Sequence, residues 1–185
     1  MSSRKALCAL VITLTLTSCS FSKRDTGANE TPTPMASQTT ASESPTQSAS
    51  GVTVGPATVS GPAGSEPVVT IDTNFPASEE LRQGDLVVGD GSEVVSTSTV
   101  TAHYVGYGAT SGKMFDGSWA SGAPVEFPLA NVIIGWQEGL LGMKVGGRRV
   151  LVIPGSMGYG AAPPQGSGIL PNETLVFVVD LTAVK

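Results

Sequence analysis

The chain has 185 residues, a formal net charge of −5 and only 14% charged residues. Its basic side chains form no patch, "GGRR" being a mere pair, so a nucleic-acid backbone is not the expected partner. A single histidine and two cysteines exclude the usual zinc constellations, and no metal or other cofactor is expected.

The first segment, "MSSRKALCALVITLTLTSCS", begins with Arg4 and Lys5 and runs on through an apolar stretch from Ala6 to Thr17. That stretch is too short to span a bilayer comfortably, so residues 1–18 read as a signal peptide. It closes in "LTSC", which resembles the lipobox of bacterial lipoproteins: an aliphatic residue, two small residues and a cysteine. The resemblance implies cleavage before Cys19, diacylglyceryl and palmitate attachment there, and anchoring in the cell membrane at its extracytoplasmic face. A Cys8–Cys19 disulfide is the competing reading, but Cys8 lies in the apolar segment and would leave with it. Two or more acyl chains hold a membrane firmly, whereas one does not.

From Cys19 to Ser65 the sequence is rich in Ser, Thr, Pro, Ala and Gly, as in "TPTPMASQTTASESPTQSASG". Few large apolar residues are available to offset the ordering entropy, so a disordered linker is expected. As a flexible coil it spans roughly 35–40 Å. Residues 66–185 amount to one domain and are acidic, with six basic residues against twelve carboxylates.

Within that domain "DLVVGDGSEV" (85–94) reads as a strand followed by a glycine-containing turn. "VTAHYVGY" (100–107) alternates, placing Val100, Ala102 and Tyr104 on one face and Thr101, His103 and Val105 on the other. "PVEFPL" (124–129) puts Val125 and Phe127 together and Glu126 opposite. "NVIIGWQEGLLGMKVGG" (131–147) is the one helical candidate, from the spacing of Ile133, Trp136, Leu140 and Leu141. Gly135, Gly139 and Gly142 interrupt it, at about 1 kcal/mol each against alanine. "RRVLVIP" (148–154) is a strand stopped by Pro154. "TLVFVVDLTAV" (174–184) is the strongest strand, with Leu175, Phe177, Val179 and Leu181 on one face and Asp180 on the other. Strands separated by turns and one short helix predict an α+β fold, an antiparallel sheet covering that helix.

Nucleotide-binding and hydrolase motifs such as G-x-x-x-x-G-K-[ST], G-x-S-x-G and H-E-x-x-H are absent. His103 sits mid-strand with no nucleophile arranged around it and reads as structural. Asp116 and Glu126 as a hydrolase pair are a weak signal among so many carboxylates. What stands out is aromatic and apolar material at irregular positions: Phe115 before Asp116, Trp136 on the broken helix, Tyr159 between glycines, Phe177 in the last strand. Together these suit a concave apolar pocket with a few polar groups.

The stretches "VTAHYVGYGATSGKMFDGSW", "PVEFPLANVIIGWQEGLLGMKVGGRRVLVIPGSMGYG" and "GILPNETLVFVVDL" resemble, in order and nearly without gaps over residues 85–185, the FKBP-type peptidyl-prolyl cis-trans isomerases. The resemblance implies an antiparallel sheet curved around one short helix, in agreement with the pattern reading. It implies isomerisation of X–Pro bonds, here in extracytoplasmic proteins, by non-covalent stabilisation of a twisted amide. On matching positions it implies Tyr104, Phe115, Asp116, Ile133, Trp136, Tyr159 and Phe177 as catalytic residues, and Val125, Phe127, Val132 and Ile169 as substrate-binding ones.

Implied partners are proline-containing polypeptide clients and macrolides of the FK506/rapamycin type, bound by a monomer. Two departures stand out. Ser121 occupies a position where the family often has an arginine near the aspartate, which leaves Asp116 to the Tyr104 hydroxyl. Val125 stands where an aromatic wall is common. A non-catalytic proline-binding or chaperone module is the alternative these departures support. On the isomerase reading, the glycines of 131–147 let the sheet pass close and keep bulk away from a prolyl ring resting on Trp136, and Gly142 caps the helix.

Overall fold

The computed structural model describes residues 51–185; the expected signal peptide, Cys19 and the linker up to residue 50 lie outside them. Nine strands and one α-helix follow in order: β1 (Val52–Val54), β2 (Ala57–Ser60), β3 (Val68–Ile71), β4 (Arg82–Val87), β5 (Thr99–Gly108), β6 (Met114–Gly117), β7 (Val125–Pro128), α1 (Ile134–Gly139), β8 (Arg148–Ile153) and β9 (Leu175–Val184). The main sheet is antiparallel in the order β4-β8-β9-β5, and the outer edge of β5 is shared. β7 pairs with Thr99–Ala102 and β6 with Val105–Tyr107. This is the expected sheet around one short helix.

Alternation assigns the faces as the sequence predicts. Val100, Ala102 and Tyr104 of β5 and Leu175, Phe177, Val179 and Leu181 of β9 turn to the helix side, where they pack with Trp136, Leu140, Leu151 and Ile153. The strand and turn expected over 85–94 begin earlier: β4 runs from Arg82 to Val87, and beyond it only Glu93 bridges to Lys144.

The helix is shorter than its pattern suggests, six residues against β8. Its glycines face that strand. A β-carbon on Gly135 would lie 2.3 Å from Ile153 Cγ2, and one on Gly139 would lie 2.7 Å from Leu151 Cδ2. Close approach of the sheet therefore accounts for both glycines, while the expectation that Gly135 clears the way for a ligand is corrected: its missing side chain faces the core. Gly142 does not cap the helix either. Leu140 does, and Gly142 (φ 72°) sits two residues on, its N–H donating to Val94 O. The terminal carbonyls Gly139 O and Leu141 O instead accept from Arg149 Nη1 at 2.9 and 3.0 Å, and Arg149 pairs with Asp85. A cation at a helix C-terminus also complements the helix dipole.

The linker boundary at Ser65 is corrected as well. β1, β2 and β3 form a three-stranded antiparallel sheet within residues 52–71, and it covers the far side of the main sheet. Ala57 and Val59 are fully buried there against Val105, Val150, Val152, Val176 and Val178. The physical reason lies in β8 and β9, which are apolar on both faces over Val150–Ile153 and Leu175–Val179, as strands covered on both sides are. A buried ion pair fastens the cover. Fully buried Arg148 binds Asp180, Gly61 O and Ser65 O, and Asp180 Oδ2 accepts the Gly64 N–H at 2.7 Å.

Candidate active site

The helix, the turn before it and the concave face of β5 and β9 enclose an open pocket of about 280 Å³. That is the small end for ligand pockets (~300–1,000 Å³), suited to a ring and its flanking groups. It is lined by Tyr104, Asp116, Phe127, Asn131, Val132, Ile133, Trp136, Tyr159 and Phe177.

Trp136 is the hub. It is 4% exposed, and Tyr104, Phe127 and Phe177 meet it edge-on at ring-centroid distances of 5.6, 5.3 and 5.4 Å. Such T-shaped contacts are the favoured aromatic geometry and fix the indole plane. Its Nε1 finds no hydrogen-bond partner among the described residues.

The polar groups lie on one side. Tyr104 donates its hydroxyl to Asp116 Oδ2 at 2.7 Å, and Asp116 Oδ1 accepts the Gly117 N–H at 2.8 Å. Burial, then the hydrogen bond to Asp116 and its charge, push the Tyr104 phenol well above its ordinary value, so it stays a donor. Burial, and then the Asp116 charge, raise the Tyr159 phenol too. Ser121 turns away, donating to Ser118 O at 2.6 Å, so the tyrosine and not a cation holds the carboxylate. Tyr159 lies on a loop tied down by buried Glu173, which accepts from the Leu170 and Ser111 N–H groups at 2.7 and 2.9 Å.

Eight of the eleven residues expected from the sequence thus meet in one pocket. Phe115 stands behind the lining, edge-on to Phe177 at 5.5 Å, with Gly106 leaving room for both rings. Val125 sits on β7 at the sheet rim, 37% exposed, away from the lining. Ile169 is buried in the adjoining core. Asn131 lines the pocket without any sequence signal. Arg149 supports the helix from beneath, and the signal for it was two arginines opening an otherwise apolar strand. His103 stacks on Trp119 at 4.1 Å, with Nδ1 3.1 Å from Ser118 Oγ, outside the pocket and structural as read.

The profile of the FKBP-type peptidyl-prolyl cis-trans isomerases matches residues 91–182. A probable FK506-binding protein of Corynebacterium glutamicum is 50% identical over 107 residues, which cover 57% of this chain and 88% of that protein. An FK506-binding protein of Streptomyces anulatus is 45% identical over 118 residues, covering 61% and 95%. The crystal structure of FkpA from Escherichia coli superposes with a TM-score of 0.53 at 43% identity, over 57% of this chain and 48% of the FkpA chain.

Proposed function

The chain belongs to the FKBP-type peptidyl-prolyl cis-trans isomerases, and on that premise we propose that the Trp136 pocket turns X–Pro bonds in extracytoplasmic polypeptides. The observation that carries the reading is an indole held by three edge-on rings below a cleft whose polar side chains, besides the indole itself and among the described residues, are Asp116, Tyr159, Asn131 and Tyr104.

Rotation about an X–Pro bond is slow, with a barrier near 20 kcal/mol, because it breaks amide resonance. No covalent nucleophile is needed to lower that barrier. The twisted amide is less dipolar than the planar one, so an apolar pocket disfavours the planar ground state more. Trp136 is the floor under the prolyl ring, with Phe127, Val132 and Phe177 as walls and Phe115 bracing Phe177. The Ile133 N–H and the Tyr159 hydroxyl hold carbonyls on either side of the rotating bond. Asp116, oriented by Tyr104, faces the carbonyl that turns. Contacts preorganised for the twisted state lower the barrier because they bind it better than the planar one.

Cys19, lipidated after removal of residues 1–18, would tether the domain at the outer face of the cell membrane, with residues 20–50 as linker. The "LTSC" sequence supports this. Proline-containing secreted chains are then the clients, and their slow prolyl steps are the ones relieved. Relatives named FK506-binding proteins support a macrolide of that type occupying the same pocket. The test is turnover of a short X–Pro peptide by the full chain in a protease-coupled assay, with rapamycin as competitor. Acceleration abolished by rapamycin is expected, and absence of acceleration refutes the reading. Incorporation of labelled palmitate into wild type but not Cys19→Ser tests the anchor separately.

A further inference from the structure

The turn that leads into α1 is held from both sides of Ile133. Ile133 O accepts the N–H groups of Trp136 and Gln137 at 2.9 and 3.2 Å, which fixes the peptide that follows it. The peptide before it is fixed by a side chain: Gln137 Nε2 donates to Val132 O at 2.8 Å. Facing a carbonyl, the amide must present its NH₂ group, since its oxygen has nothing to accept there. In a trans peptide the C=O and the next N–H point in opposite directions. Holding Val132 O toward Gln137 therefore aims the Ile133 N–H the other way. Val132 and Ile133 both line the pocket, and the Ile133 N–H has no hydrogen-bond acceptor among the described residues.

We propose that Gln137 is a positioning residue for the isomerase reaction: its side-chain amide locks the Val132–Ile133 peptide so that the Ile133 N–H stands ready for a prolyl carbonyl. Gln137 itself touches no substrate. The inference rests on the reading that the Ile133 N–H binds such a carbonyl. A preset donor binds without the entropic cost of ordering a loop at the moment of contact. Glutamine serves here where glutamate would not, because a carboxylate only accepts and would repel Val132 O.

The test uses the full chain and two probes, an N-acylproline alkyl ester and the prolinol ether that replaces its carbonyl by methylene. Wild type is expected to bind the ester about fivefold more tightly, the worth of one neutral hydrogen bond. In Gln137→Met and Gln137→Glu that preference should collapse to about twofold or less while ether affinity holds. A Gln137→Met protein that keeps the full ester preference, or loses affinity for both probes equally, overturns the positioning role. A wild type that does not distinguish the probes overturns the Ile133 reading beneath it, and the inference with it.

Discussion

Adding one methyl group at Gly135 isolates the reason this helix contains glycine. By propensity alone Gly135→Ala stabilises the protein by about 1 kcal/mol. The geometry predicts the reverse, because the new β-carbon would lie 2.3, 2.7 and 2.8 Å from Cγ2, Cδ1 and Cγ1 of Ile153. Ile153 is fully buried and branched at Cβ, so it has no alternative rotamer into free space. Overpacking of this kind costs about 1–3 kcal/mol, which leaves a net loss of up to about 2 kcal/mol after the propensity gain. If the helix relieves the clash by lifting off β8, Trp136 moves with it and kcat/KM falls. Urea unfolding reads the first effect as a lower midpoint at unchanged slope, and an X–Pro peptide assay reads the second. Gly139→Ala is the control with a smaller loss, since its nearest neighbour at 2.7 Å is the end of the more pliable Leu151. A Gly135→Ala protein more stable than wild type would refute the close-packing argument.

Asp180→Asn should cost about 3–5 kcal/mol by leaving Arg148 buried without its counter-charge. A loss under about 1 kcal/mol in chemical denaturation would contradict this. Removing everything before Pro67 strips β1 and β2 from Val105, Val150, Val152, Val176 and Val178, so the fragment should unfold earlier and bind ANS. An unchanged midpoint would show that the three-stranded cover is dispensable. The Tyr104 phenol is raised in the folded state, so its stabilisation is complete below the unfolded value near 10 and is lost as pH climbs above it. Wild-type stability should therefore fall more steeply above about pH 10 than that of Tyr104→Phe, and parallel pH curves would refute the assignment.

Most of the main sheet was legible because its strands alternate or end at proline and glycine. Phe115, Trp136, Tyr159 and Phe177 were legible as a site because aromatic residues are few and these stood out, whereas Tyr104, on a regularly alternating strand, was implied only by the family resemblance. The helix was overextended because Leu140 and Leu141 continue its apolar spacing, while the turn at Leu140–Met143 ends it. The cover formed by β1–β3 was hidden by composition: Ser, Thr, Pro and Gly outweigh Ala57, Val59 and their few apolar neighbours. Its trace was in the other half of the pattern, since Val150, Val152, Val176 and Val178 are apolar where a solvent-facing strand would be polar. Gln137 was illegible from sequence, because its meaning lies in which carbonyl its amide reaches.

Trp136 as the pocket floor is the feature on which the proposed catalysis rests most. Trp136→Leu and Phe177→Leu, introduced separately into the full chain and shown folded by circular dichroism, should each lower kcat/KM on an X–Pro peptide about tenfold or more, the worth of an aromatic contact of about 1.5–3 kcal/mol. Folded variants that isomerise the peptide at the wild-type rate would contradict it.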